Sequence, residues 1–253
     1  KMSKTKDWRL SVMPAAWGLP TFHPECLAAY TYLKLSEVNV RAITISSTAA
    51  AQFESPILTS GENNYKGFED IVNGMKSEDK FLDSKLRPQD RAEIFAFVSM
   101  IEGQLHSAML YDWFKVDENY HEVIRPVYSE AASFPGNLIL PWIVRRRILG
   151  RLGHPAAEDG EHLYKKADEC CHALSDRLGS GPYFLGEQAS SLDAAAFGHL
   201  APLLHAPMPA PSRLCATLRQ YPNLCAFVER VGARCASLAY VPPPPLPAGD
   251  AVK

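Results

Sequence analysis

The stretch Pro182–His205, PYFLGEQASSLDAAAFGHLAPLLH, decides the fold of this chain. After an aromatic turn, Ser190 stands where a helix N-cap is expected, three residues before Asp193. A serine hydroxyl at an N-cap accepts from an unpaired backbone N–H of the first turn, and a carboxylate three positions later reaches back to the N–H of the cap. The following positions are almost all apolar, which is typical of a helix buried in the middle of a domain. The stretch therefore predicts a core helix whose start is fixed by Ser190 and Asp193, both structural rather than catalytic, and which Pro202 kinks or ends.

This arrangement carries a resemblance to known proteins. A Ser-x-x-Asp box that opens a buried helix late in an all-helical domain resembles the core helix of the glutathione-transferase fold. The phrase Phe184-Leu-Gly-Glu, followed by Ser-Ser-Leu-Asp-Ala, is similar to the form found in metaxins, the transferase-like subunits of the mitochondrial outer-membrane import machinery. The resemblance runs from Trp17 to about Leu238. Its most specific block is Asn119-Tyr120-x-Glu-Val-x-Arg-x-x-Tyr-x-Glu-Ala, which continues into Phe134-Pro-x-Asn-x-x-Leu-Pro.

The composition is that of a globular protein with a sizeable core. The chain has 253 residues, of which 47% are hydrophobic and 21% charged, and its formal net charge is −2. This charge argues against nucleic-acid binding, because neutralising phosphates needs a basic excess. The six cysteines form no CxxC pair, so we expect reduced thiols and neither a metal site nor a disulfide framework. No apolar run reaches the ~18 residues of a membrane-spanning helix.

The order of the predicted elements divides the chain into two parts. Hydrophobic periodicity predicts strand–helix–strand and then strand–strand–helix before residue 80, followed by helices only. We therefore expect an α/β plus all-α protein, with a thioredoxin-like domain at residues 7–80 and an all-helical domain at residues 84–240, and the resemblance implies that the two form a glutathione-transferase-like fold. Residues 241–253 are expected to form a Pro-rich disordered tail. The resemblance also implies a cis peptide bond before Pro56, although an ordinary trans proline is commoner overall.

The residues at the expected glutathione site do not suit that ligand. The resemblance implies a hydroxyl or thiol near the first helix, for which Thr21 and Cys26 are candidates, and an acid–hydroxyl pair at the start of a later helix. Gly67 and Phe68 stand at the position of that pair and supply neither group. Glu69 and Asp70 place two negative charges in the first turn, where they would repel a bound carboxylate. His199 and His205 are six residues apart and are expected to be satisfied core or edge histidines.

The resemblance to metaxins implies a function without catalysis and without a cofactor. It implies a subunit on the cytosolic face of the mitochondrial outer membrane, which works with the β-barrel insertase and other subunits of the sorting and assembly machinery and receives or releases precursor proteins. Family members usually carry a C-terminal membrane anchor, and this sequence shows none, so attachment is expected to be peripheral or through an anchor outside it. The alternative is a glutathione-dependent transferase with an atypical site.

The segment Phe134–Arg151 has a composition that fits the core poorly. Its prolines and glycine are expected to prevent one continuous helix, so its apolar residues cannot all face one core groove. An apolar edge with a tryptophan, followed by arginines, suits an anionic membrane surface or a partner, whereas the alternative is a solvated basic face over an internal loop. The predicted contact residues are Leu140, Trp142, Ile143, Arg145, Arg146, Arg147 and Arg151. Replacing the three consecutive arginines with Glu is expected to leave the fold intact.

Overall fold

A four-stranded mixed sheet with two helices forms the first part of the protein. The computed structural model describes residues 7–45, 55–78, 80–152, 160–209 and 212–235. The strands are β1 (Trp8–Val12), β2 (Val40–Thr44), β3 (Ile57–Ser60) and β4 (Asn63–Lys66), in the order β2-β1-β3-β4 across the sheet. Strand β1 pairs parallel with β2 and antiparallel with β3, and β3 pairs antiparallel with β4. Helices α1 (Pro24–Leu35) and α2 (Phe68–Lys76) follow β1 and β4, which is the predicted order of elements.

The cis peptide bond predicted before Pro56 is wrong. Within the described residues, the cis bond lies between Phe134 and Pro135. With the bond before it trans, the carbonyl of Pro56 accepts a hydrogen bond of 2.8 Å from the N–H of Gly67. This bond joins the chain just before β3 to the chain just after β4, so Pro56 takes part in the pairing of these two strands.

Helices make up most of the described chain after residue 80. A short 3₁₀ turn (Leu82–Lys85) leads into α3 (Pro88–Met100), a π-helical turn (Ile101–Leu105) and α4 (His106–Phe114), which together form the long helix that the sequence predicts. The remaining helices are α5 (Asp117–Asn119), α6 (Arg125–Glu130), α7 (Gly136–Leu152), α8 (Glu161–Leu178), α9 (Ser191–His205), α10 (Arg213–Arg219) and α11 (Pro222–Cys235), with a second π-helical turn (Tyr120–Ile124) before α6. None of the helices in the described ranges is both long and apolar enough to span a bilayer. The predicted Pro-rich tail, residues 241–253, lies outside the described residues, and the domain boundaries at residues 80 and 84 stay predictions.

Two prolines, Pro141 and Pro202, lie inside helices, although the sequence predicted that each would interrupt, kink or end its helix. Helix α7 is continuous from Gly136 to Leu152 although Pro141 lies within it, so the predicted interruption is wrong. Pro202 lies within α9, which continues to His205. A proline removes one backbone donor from a helix but leaves the other hydrogen bonds available. Because Pro141 and Pro202 are both buried, packing of these helices on their neighbours offsets the missing bond.

Helix α9 is the centre of the molecule, as predicted. All of its residues, from Ser191 to His205, are buried. It packs closely on α1 at Gly198, where an added Cβ would lie 2.6 Å from the Cβ of Ala28 and 2.7 Å from the carbonyl oxygen of Pro24. Only a residue without a side chain allows the two backbones to come this near. Gly198 therefore allows α9 to pack closely on α1.

Candidate functional site

The first turn of α9 is held by the carboxylate of Asp193. Ser190 has an extended backbone (φ −125°, ψ 177°) at the cap position. Its N–H and its hydroxyl both donate to Oδ2 of Asp193 at 2.7 Å, and the N–H of Phe184 donates to Oδ1 at 3.0 Å. Burial raises the pKa of Asp193 to about 6, while the hydrogen bonds from Phe184 and Ser190 act in the opposite direction. All of these partners belong to the protein, so the geometry gives Asp193 a structural task.

A second buried carboxyl group, that of Asp83, holds the same turn from the 3₁₀ turn that precedes α3. Its Oδ1 accepts from the N–H of Ser191 at 2.8 Å and its Oδ2 from the hydroxyl of Ser191 at 2.6 Å. Arg91 in turn donates to the backbone carbonyl of Asp83 at 3.2 Å. Asp83 is not predicted as a cap from the sequence, because its partner lies 108 residues away. The signal that was available is the pair of serines before Leu192, of which Asp193 satisfies only one.

The two candidates for activating a thiol are inaccessible. Thr21 and Cys26 have no exposed surface. Burial is the main cause that raises the pKa of Cys26 far above its ordinary value, which keeps the thiol protonated. A nucleophile must reach its substrate and ionise, and Cys26 does neither.

The start of α2 is built in a way that excludes an acid–hydroxyl pair. Gly67 has φ 88°, a conformation in which any residue with a side chain is strained. Phe68 is buried and its ring packs edge-on against the ring of Tyr32, with 6.1 Å between the centroids. Neither position can therefore present a carboxylate or a hydroxyl to a ligand without changing the local backbone or the core.

A cleft of about 290 Å³ nevertheless lies at this place, bounded by α1, α2, the long helix and α9. Its lining is dominated by acidic groups and imidazoles: Glu25, Lys66, Gly67, Phe68, Glu69, Asp70, Glu102, His106 and His199. The rings of His106 and His199 are perpendicular with centroids 5.3 Å apart. Burial, followed by the charge of His199, lowers the pKa of His106 to about 3, and burial lowers the pKa of His199 to about 4. Both imidazoles are therefore neutral at pH 7.

The prediction that His199 is a satisfied core histidine is only half right. It is buried, with 3% of its surface exposed, and its Nδ1 lies 2.9 Å from the carbonyl oxygen of Ala195. Its Nε2 is buried and has no hydrogen-bond partner among the described residues. No group of three or more His, Cys, Asp or Glu side chains in the described part of the chain has the arrangement of a metal site.

An exposed apolar face lies at the start of α7. Phe134, Leu138, Ile139 and Trp142 are exposed by 79%, 64%, 50% and 57%, respectively. Leu138 and Ile139 lie four and three residues before Trp142, so these three side chains share one side of the helix, and Phe134 lies just before its first residue, Gly136. The guanidinium of Arg146 lies over the ring of Trp142, 5.4 Å from its centroid, and extends the face by one turn. We call Phe134, Leu138, Ile139, Trp142 and Arg146 the α7 face.

The α7 face differs from the contact set that the sequence predicted. Trp142, Arg146 and Arg151 are exposed, and Ile143 and Arg147 are half-buried. Leu140 is buried in the core, with 2% exposure, and cannot contact a partner.

Arg145 is a structural residue. Its Nε donates to the carbonyl oxygen of Phe114 at 2.9 Å, its Nη2 pairs with Asp117, and its guanidinium stacks 4.1 Å from the centroid of the Tyr120 ring. It therefore ties α7 to the chain around α5. The triple replacement of Arg145, Arg146 and Arg147 with Glu would remove these contacts, so we expect it to lower the stability of the fold.

Two family models match parts of this chain, and metaxins are similar to most of it. Residues 26–145 match the model described as an outer mitochondrial membrane transport complex protein, and residues 167–231 match a glutathione S-transferase C-terminal domain. Metaxin-3 of Xenopus laevis is 33% identical over 224 residues, which is 85% of this chain and 72% of that protein. Metaxin-1 of Mus musculus is 33% identical over 225 residues, which is 85% of this chain and 71% of that protein.

Solved structures support the predicted fold class. The structure of glutathione S-transferase III in its apo form superposes with a TM-score of 0.57 at 14% identity, covering 94% of this chain and all of that one. At this identity the match concerns the fold alone. The glutathione-transferase-like fold predicted from the sequence is confirmed.

Proposed function

Because the chain belongs to the metaxin family, we propose that it is a non-enzymatic subunit of a transport complex of the mitochondrial outer membrane. In this proposal it lies on the cytosolic face and works beside the β-barrel insertase, where it receives or releases precursor proteins. The observation that carries the proposal is the 33% identity to metaxins over 85% of the chain. In addition, the exposed apolar residues at the start of α7 lie within residues 26–145, which match the model of the transport-complex protein.

The α7 face is the surface that we propose for docking on another subunit. A tryptophan, a phenylalanine and two aliphatic side chains at 50–79% exposure are unusual on a solvated helix, and such residues anchor protein interfaces. An anionic bilayer is the weaker candidate, because the basic groups that would bind its headgroups are partly used inside the protein. The charge of Arg145 is paired with Asp117 and Arg146 covers Trp142. An apolar groove on a protein partner fits this chemistry better.

The docking proposal is tested by purification from mitochondria of the source cells. Ile139→Asp combined with Trp142→Asp should reduce the co-purified outer-membrane subunits at least tenfold, because charges are placed at the centre of an apolar contact. Phe95→Asp is the matched control, since Phe95 is 70% exposed on α3 and lies outside the α7 face. Equal recovery with both variants would contradict the docking surface. Loss of binding to protein-free anionic vesicles with the α7 variant alone would assign the face to the bilayer instead.

The buried state of Thr21 and Cys26 and the backbone of Gly67 support the non-enzymatic proposal over the glutathione-transferase alternative. We expect no useful binding of glutathione. Isothermal titration of the purified protein with glutathione measures this, and a dissociation constant in the low micromolar range would restore the enzyme hypothesis. This outcome is independent of the purification experiment.

A further inference from the structure

The cleft at the start of α2 carries uncompensated negative charge. Glu69, Asp70 and Glu102 line it, and none of the three makes a hydrogen bond or ion pair with the described residues. Lys66 is the cation among the lining residues. Desolvation raises the pKa of Glu102, and the charge of Glu69 adds to this effect. These carboxylates would be stabilised by a positive charge placed among them.

His199 adds a hydrogen-bond acceptor that the protein does not use. A carbonyl oxygen only accepts, so the hydrogen in the 2.9 Å contact with Ala195 must lie on Nδ1 of His199. Nε2 then carries a lone pair that the contact with Ala195 does not use. It is buried, it belongs to a residue that lines the cleft, and it has no partner among the described residues. Leaving a buried acceptor without a donor is unfavourable, so this position is suited to an N–H donor of a ligand.

The carboxylates and the imidazole together define the ligand. They favour binding of a group that is positively charged and donates hydrogen bonds, and they disfavour binding of a carboxylate or a phosphate. The volume of about 290 Å³ is at the lower limit for small-molecule sites, so it suits a group of the size of one side chain. A metal ion is not favoured, because the described residues contain no cluster with metal-ligand geometry.

We propose that this cleft binds an organic cation of side-chain size, with an alkylammonium or guanidinium head placed among Glu69, Asp70 and Glu102 and donating to Nε2 of His199. The site is separate from the α7 face and does not depend on the function proposed above. It occupies the place where the related fold would hold an acid–hydroxyl pair, but its charge selects a ligand of the opposite sign.

Titration of the full chain with n-butylguanidinium, n-butylammonium and the neutral isostere n-butylurea tests the proposal. Binding of at least one cation should be tenfold or more tighter than that of n-butylurea and should weaken as salt is added. Equal binding of n-butylurea, or no binding of either cation at 10 mM (about the weak limit for one charged contact), would overturn it. Zinc titration is run in parallel, and zinc binding that displaces the cations would replace the proposal with a metal site.

Variants locate the binding. Glu69→Gln with Asp70→Asn should reduce cation affinity at least tenfold, whereas Glu187→Gln, a change at an exposed carboxylate outside the cleft, should leave it unchanged. Because changes at His199 risk the core, its part is read in the unaltered protein: the ¹⁵N resonance of Nε2 should shift on saturation with the cation. An affinity that is the same in both variants, or a resonance that does not move, would contradict the assignment.

Discussion

Gly198→Ala should destabilise the protein, although replacing a glycine inside a helix with alanine normally increases the stability of the helix. The added methyl would lie 2.6 Å from the Cβ of Ala28 and 2.7 Å from both the backbone nitrogen of Ala28 and the carbonyl oxygen of Pro24. Ordinary carbon contacts are near 3.5 Å, so α1 and α9 would have to separate by about 1 Å. Two of the three neighbours are backbone atoms, which cannot rotate out of the way.

The magnitude follows from two opposing effects. Overpacking of a tight core costs about 1–3 kcal/mol, and the rigid neighbours place Gly198 near the upper end of this range. Alanine recovers about 0.5–1 kcal/mol of helix stability relative to glycine. The free energy of unfolding should therefore fall by about 2 kcal/mol, and the midpoint of thermal unfolding by about 4–8 °C.

Urea unfolding followed by circular dichroism measures the change, and the chain supplies its own control. Gly150 lies in α7, where no heavy atom of the described residues comes within 4 Å of an added Cβ, so Gly150→Ala should stabilise the protein by about 0.5–1 kcal/mol. The two substitutions are chemically identical and differ only in what surrounds the methyl. If Gly198→Ala were as stable as Gly150→Ala, the close packing of α1 against α9 at Gly198 would be refuted.

Three further predictions concern polar groups. The pKa of Asp193 is raised to about 6 from an ordinary 3.8, which means that the folded state holds the proton more tightly than the unfolded state. Proton binding by Asp193 therefore stabilises the fold fully below about pH 4, and this stabilisation is lost as the pH rises through about 6. Relative to Asp193→Asn, the free energy of unfolding of the wild type, measured with urea, should fall by up to about 3 kcal/mol between pH 4 and 7. Asp83→Ala should lower the free energy of unfolding by about 2–4 kcal/mol, because it removes two hydrogen bonds with Ser191, and Ser191→Ala should lower it by about half as much. Equal and small effects of both variants in denaturant melts would show that Asp83 does not hold α9. Arg145→Met should lower stability by about 1–3 kcal/mol and Arg146→Met by less than about 0.5 kcal/mol, and the reverse order in thermal melts would contradict the roles assigned to these two residues.

The elements that the sequence predicted correctly are those whose cause is local. The capped start of α9 follows from the spacing of Ser190 and Asp193, and the apolar positions after it require burial. The order of strands and helices follows from short-range periodicity in the same way. Such patterns act within a few residues, so reading the chain in order is enough to find them.

The features that the sequence did not predict depend on partners far away in the chain. Asp83 meets Ser191 only after folding, and the guanidinium of Arg145 reaches the carbonyl of Phe114, 31 residues away. Pro141 lies in a continuous helix because packing on neighbouring helices outweighs one missing hydrogen bond. Local preferences are overridden in each case by tertiary contacts, which a single sequence does not display.

Most irregular positions in the molecule have a structural cause. The positive φ of Gly67 turns the chain from β4 into α2, Gly198 allows α1 and α9 to touch, and the buried carboxyl group of Asp83 accepts from the two donors of Ser191. Two features on which the proposals rest have no such cause: the solvent exposure of Trp142 with its apolar neighbours, and Nε2 of His199, which has no partner among the described residues. Burial of apolar surface and pairing of buried polar groups are the two requirements that folding alone imposes. Positions that violate them without any gain inside the protein are therefore where binding should be sought, on the α7 face for another subunit and in the cleft for a cation.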